Sequence, residues 1–251
     1  MCKLAIVGTL RGMATTDGAG ASLVRVFPSY NLSYLDPFLM LDHFGVTPPA
    51  GFPDHPHRGF EIITYMLEGA FHHRDNAGND TIIPTDGLQR VTAGSGIIHS
   101  EMPATDGVNR GLQLWINLPR KDKKVDPSYQ EVTKDDLPLN ELQGLTIKTL
   151  VGEHSPVSIQ RPMVYYDVTL TSGATSAYIM TIPQGWRGFV YVIDGEANFG
   201  GAAGSAQDIL PFEPEAKELS LPVTTDTSVR FIWVAGEPIG ERPLFRGSFV
   251  D

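Results

Sequence analysis

Two short stretches carry residues whose types and spacing fit metal chemistry: Phe52-Pro53-Asp54-His55-Pro56-His57-Arg58-Gly59-Phe60-Glu61 and Gly94-Ser95-Gly96-Ile97-Ile98-His99-Ser100-Glu101-Met102-Pro103. Each offers two donors two residues apart, His55 with His57 and His99 with Glu101, and on an extended strand such a pair points to one side. Three neutral imidazoles and a carboxylate suit a divalent first-row transition metal better than calcium or a thiolate-loving ion. One net positive charge would remain on the metal, with positions open for water, dioxygen or a chelating substrate, as catalytic sites keep and structural sites do not. A His-x-His pair alone arises by chance. Here both pairs sit in glycine-flanked stretches with few charges and together use three of the seven histidines. The reading is a mononuclear metal site inside a small β-barrel.

The elements that must position these donors are short strands. Phe60 to Leu67, Ala70 to Arg74, Thr81 to Ile83, Leu88 to Thr92, Ile97 to Met102 and Leu112 to Leu118 form a regular series separated by turn residues, which predicts a barrel or sandwich. Lys3 to Val7 and Ser22 to Phe27 read as strands before it, and Asn31 to Phe44 as an irregular apolar stretch across a barrel mouth or between barrels. His43, without a second donor at strand spacing, reads as structural. His72 and His73 are adjacent and must face opposite sides of a strand, so both are left outside the site.

Composition narrows the function. With 251 residues, 41% of them hydrophobic, the chain can bury one large core or two small ones. A net charge of -10 argues against direct nucleic-acid binding, which needs a basic surface to neutralise phosphates. Cys2 is the single cysteine, so no intrachain disulfide can form. The run Leu4 to Leu10 is too short for a membrane span or signal peptide. The expectation is a soluble, intracellular monomer, cytoplasmic and also nuclear if eukaryotic.

The two donor stretches, with Leu67-Glu68-Gly69, Thr92-Ala93-Gly94 and Gly111-Leu112-Gln113-Leu114-Trp115-Ile116-Asn117-Leu118, resemble the pirin family of the cupin superfamily. Weaker patches of similarity run from about Gly18 to the C-terminus. The resemblance implies an all-β fold of two cupin, jelly-roll-like barrels packed together with short helical connections. It makes His55, His57, His99 and Glu101 the ligands of an iron(II), although manganese, nickel, copper, cobalt and zinc also accept such a donor set. It further implies quercetin 2,3-dioxygenase activity, with a flavonol and dioxygen as substrates: the 3-hydroxyl loses its proton and dioxygen attacks the electron-rich ring. Glu101 then admits two roles, ligand in the resting enzyme and general base if it leaves the metal. The family also supports another function, a non-enzymatic iron protein whose redox state governs binding to a transcription factor or a metabolic enzyme. Glu61 lies where many cupins carry a ligand, but the pirin pattern gives that place to Glu101, leaving Glu61 as a neighbouring group or one behind the ligands. Arg90 and Ser95 stand where pirins commonly carry tryptophan and arginine, and His43 where they carry glutamate.

The expected domains are residues 1–125, the metal-binding barrel, and 126–251, a degenerate barrel without ligands. Arg120 to Asn140 breaks the strand rhythm with charges and two prolines and reads as the connection, with one or two helical turns. Beyond it strands return at Thr146 to Val151, Val164 to Thr171, Ser176 to Ile182, Arg187 to Ile193, Lys217 to Leu221 and Val229 to Val234. Arg187-Gly188-Phe189 echoes Arg58-Gly59-Phe60, as a worn internal repeat would. Trp186 replaces the equivalent of His57, and His154 is the single histidine after residue 99, so the second copy cannot rebuild the ligand set.

Overall fold

The computed structural model describes residues 2–3, 6–142, 144–173, 175–176, 179–180, 182–212, 219–220 and 223–251, with the isolated pairs 2–3, 175–176, 179–180 and 219–220 defined by backbone alone. The strands expected over Lys3 to Val7, Ser176 to Ile182 and Lys217 to Leu221 fall partly outside the described residues. Among the described residues every regular element is a strand. The helical turns expected between Arg120 and Asn140 are absent: Asp122 and Val125 donate to Pro119 and Asp122 carbonyls in tight turns, and Ser128–Val132 is a strand. Pro119, Pro127 and Pro138 explain this, since each removes a backbone donor and restricts the residue before it. No helix of the described residues is long and apolar enough to cross a membrane.

The chain forms two compact units, each built from segments distant in sequence. One comprises residues 13–136, 157–160 and 239–251, the other residues 1–12, 137–156 and 161–238. A single cut between residues 125 and 126 differs from this division at four segments, 1–12, 126–136, 157–160 and 239–251. Ser128–Val132 pairs with Leu88–Thr92, Leu10–Arg11 pairs with Asp208–Phe212, and Phe249 bridges to Arg58. Long-range strand pairing, not proximity in sequence, decides which unit a segment joins.

In the unit that holds the donor residues, a seven-stranded sheet runs in the order Ser128–Val132, Leu88–Thr92, Phe60–Glu68, Asn109–Asn117, Phe38–Val46, Ala21–Phe27, Met13–Asp17. A four-stranded sheet runs Phe52–His57, Ile97–Pro103, Ala70–Asp75, Asp80–Pro84. Phe60–Glu68 is near the centre of the larger sheet and is buried from Phe60 to Leu67, which its β-branched and aromatic stretch Ile62-Ile63-Thr64-Tyr65 suits. Phe38–Val46, read from sequence as irregular, is a nine-residue strand of the same sheet. Asp42 interrupts its apolar pattern because its face lines a polar cavity wall, and the adjacent His43 faces the other side of the sheet.

The other unit repeats the plan. Its seven-stranded sheet runs Leu139–Leu142, Leu145–Val151, Met163–Leu170, Val229–Gly236, Arg187–Asp194, Asp208–Phe212, Leu10–Arg11, and it too has a four-stranded sheet. Its interior is filled by Phe199, Phe212, Phe231 and Trp233, with Trp186 packed at the margin. Where the first unit carries imidazoles, this one carries hydrocarbon.

Candidate metal centre

The three histidines meet because two strands of the smaller sheet are neighbours in antiparallel register, while the Glu101 carboxylate lies on the same cavity outside their 4.8 Å group. His99 lies opposite His55, and Ile97 opposite His57. A bulge follows His99, after which Glu101 lies opposite His73 on the far neighbour. One ligand atom from each of His55, His57 and His99 lies within 4.8 Å of the others. Their ring centroids are 4.5 to 5.0 Å apart. His57, His99 and Glu101 are buried; His55 is half-buried and faces a cavity of about 620 Å³.

Hydrogen bonds orient the rings. His55 Nδ1 is 2.8 Å from the Pro53 carbonyl and His57 Nδ1 is 3.4 Å from that of Ser248. A carbonyl only accepts, so each Nδ1 carries the proton and each Nε2 keeps its lone pair for the cluster. His99, 1% exposed, has no partner for either ring nitrogen. A buried imidazole left bare on both sides costs free energy unless something fills the gap. Burial holds His99 well below the usual histidine range, reinforced by the neighbouring imidazoles. Burial also lowers His57 to about 3, assisted by His99 and His55. Both are therefore neutral lone-pair donors across the physiological range, the form that binds metal. The orphaned nitrogens and clustered neutral donors fit a divalent transition metal.

Glu101 is held by neutral donors. Its Oε1 accepts from Thr64 at 3.0 Å and Gln89 at 2.5 Å, and its Oε2 accepts from Gln113 at 2.7 Å. A carboxylate offers about four lone-pair sites, so Oε2, with one donor, has a site left for the cavity that Glu101 lines.

Glu61 is elsewhere. On the larger sheet Thr64 faces the donors, and Glu61 points to the opposite face, where Thr92 Oγ1 and the Gln160 amide donate to it at 2.8 and 3.0 Å. The expectation that it neighbours the metal is corrected by strand alternation: three positions separate it from Thr64, an odd number that reverses the side. Arg90 shares this outer face, buried, with Nη1 donating to Thr92 and Ser128 hydroxyls at 2.8 and 2.6 Å.

His73 was not read as part of the site, yet its side chain is fully buried, 5.4 Å centroid to centroid from His99 and stacked on Tyr129 at 4.6 Å. Its Nε2 is 3.1 Å from Asp75 Oδ2, which engages that nitrogen, while its buried Nδ1 has no partner. His72 points outward to Asp80, so the expectation that the two face opposite sides is met. The signal for His73 was available in the alternation, since Phe71 and His73 must share a face.

The residues 239–251 close one side. Val250 donates to the Arg58 carbonyl at 2.9 Å, Lys123 Nζ donates to the Val250 carbonyl at 3.0 Å, and Phe245, Gly247 and Ser248 line the cavity. Gly59, beside the His57 strand, has φ +88, and a Cβ there would strike the Val250 carbonyl oxygen.

A seven-stranded and a four-stranded antiparallel sheet, present in both units, with imidazole donors inside the first, define a two-barrel protein of the cupin class. The pirin family model matches residues 20–116 and the pirin C-terminal cupin domain matches residues 165–251. A pirin-like protein of Solanum lycopersicum is 44% identical over 252 residues, covering 98% of this chain and 86% of that protein. Pirin of Rattus norvegicus is 38% identical over 244 residues, covering 94% and 83%. A crystal structure of quercetin 2,3-dioxygenase from Acinetobacter baumannii superimposes with TM-score 0.88 at 26% identity, covering 99% of this chain and 92% of that one. The chain belongs to the pirin family.

Proposed function

We propose that the protein is a metal-dependent dioxygenase acting on a flavonol-type substrate, with iron(II) held by His55, His57, His99 and Glu101. The observation that carries this reading is the bare, buried His99 ring within a three-imidazole cluster at the wall of a roomy cavity. The structural neighbour named as a quercetin 2,3-dioxygenase supports the substrate class. A bound divalent metal would supply Lewis acidity, making a hydroxyl brought to it easier to deprotonate.

The chain's own residues supply the rest. Leu39, Met40, Phe44, Phe52 and Trp115 give the cavity an apolar wall suited to a flat aromatic molecule. Trp115 stacks on Phe60 at 4.3 Å and meets the His57 ring edge-on at 4.9 Å, so the wall and the donor are one packed unit. On this reading Oε2 of Glu101 ligates, or takes the proton of a substrate hydroxyl, and the occupation of Oε1 by Thr64 and Gln89 supports the choice of that oxygen.

The test is oxygen uptake by the iron(II) protein with quercetin and with its 3-O-methyl ether, against metal-free protein. Uptake with quercetin alone, and with loaded protein alone, is the expected result. Equal uptake with both compounds, or by loaded and metal-free protein, would overturn the dioxygenase reading and favour an iron protein that acts by binding a partner.

A further inference from the structure

The larger sheet carries a polar row across the face that looks into the cavity. Gln89 lies opposite Thr64, Thr64 opposite Gln113, Gln113 opposite Asp42 and Asp42 opposite Arg25. The first three members surround the Glu101 carboxylate. The other end is a different structure. Arg25 Nε and Nη2 form a two-pronged pair with Asp42 at 3.0 and 2.7 Å, and Nη2 also donates to Asp17 at 2.9 Å. Arg25, Asp42 and Asp17 all line the same cavity as His55, His57 and Glu101.

Arg25 Nη1 has no protein acceptor among the described residues. The guanidinium is planar, so fixing Nε and Nη2 also fixes the direction in which Nη1 presents its hydrogens. The two carboxylates keep the group charged, the hydrogen bonds to Asp42 contributing most. Asp17 is half-exposed, with Oδ1 bonded to the Gly18 amide, and retains lone pairs beside that free edge. A donor and an acceptor set side by side match a hydroxyl, which both accepts and donates. They match an anion poorly, because one guanidinium and two carboxylates leave the corner negative. From Gln113 to Arg25 is two strand spacings, about 10 Å, the span of two linked aromatic rings.

We propose that Arg25, braced by Asp42 and Asp17, is a specificity-determining anchor for a hydroxyl at the end of the substrate remote from the metal centre. The inference rests on the dioxygenase reading and refines it: the preferred substrate is a two-ring aromatic hydroxylated at both ends. A compound hydroxylated at the metal end alone would enter the cavity without a fixed far end.

The experiment is calorimetric binding to metal-loaded protein, without oxygen, of two flavonols: quercetin, with two hydroxyls on its pendant ring, and the same flavonol lacking them. Arg25→Gln would strand the buried Asp42 carboxylate, so the double variant Arg25→Gln/Asp42→Asn is used, with Arg25→Lys and Asp17→Asn beside it. Wild type should bind quercetin about tenfold tighter than the other compound, and the double variant should lose that preference while binding the flavonol without pendant-ring hydroxyls within about twofold of wild type. Lysine should not restore the preference, since a point donor cannot be braced by two carboxylates and still offer a directed edge. Equal wild-type affinity for both flavonols, or equal loss of both in the double variant, would overturn the anchor and leave the dioxygenase reading standing. Failure of wild type to bind either flavonol would overturn both.

Discussion

Nε2 of Gln113 donates to Oε2 of Glu101 at 2.7 Å, from the floor of the larger sheet to the smaller one. The bond joins the two sheets at the donor cluster and aims the carboxylate. With Glu101 as the proposed ligand, Gln113→Leu should lower metal affinity by about 10- to 100-fold, the usual cost of losing a partner behind a ligand. Competition against a chelator measures it, and unchanged affinity would mean that Glu101 needs no such support.

His73 makes the opposite prediction. Its Nε2 is engaged by Asp75, it is not one of the three clustered imidazoles, and both side chains are fully buried. His73→Phe should keep the metal but cost ~1–3 kcal/mol of stability, because Asp75 loses a partner in a place water does not reach. Denaturant titration and elemental analysis separate the two effects. Metal loss with unchanged stability would make His73 a ligand.

Metal-free protein should weaken as the solution is acidified. The His57 imidazole is lowered from 6.5 to about 3 by burial, so between those pH values the unfolded chain takes up a proton that the folded chain refuses. Stability then falls as pH falls from 6.5 towards 3 and is fully present above 6.5. His57→Phe should flatten this decline in urea midpoints measured against pH. A decline of equal slope in the variant would place its cause elsewhere.

Gly59→Ala should destabilise the donor-bearing unit by ~1–3 kcal/mol, since alanine is strained at φ +88 and its Cβ would push on the Val250 carbonyl. The same push moves the segment whose Ser248 carbonyl meets His57. Thermal unfolding tests this, and an unchanged melting temperature would show that residues 239–251 yield without cost.

The features legible in the sequence were those set by local period. Alternation brought His55 and His57 to one side, and the glycine-flanked motifs marked where a pair of strands would run. Alternation alone could not choose between Glu61 and Glu101, because the choice depends on which sheet face closes over which, and the resemblance to pirins supplied it. Features created by pairing far along the chain stayed hidden. The return of Val250 to Arg58 spans 192 residues, and no local pattern announces it. Asp42 and Arg25 look like ordinary surface charges until the register sets them opposite one another inside a cavity. Phe38–Val46 looked irregular for the same reason, since Asp42 belongs to a wall that only the folded barrel defines.

The metal content of three purified variants tests the central claim most directly. Elemental analysis of wild type should give about one transition-metal ion per chain, with Glu61→Gln close to it and both Glu101→Gln and His99→Ala depleted. A full complement in His99→Ala, or retention by Glu101→Gln with loss in Glu61→Gln, would contradict the assignment of the metal to His55, His57, His99 and Glu101.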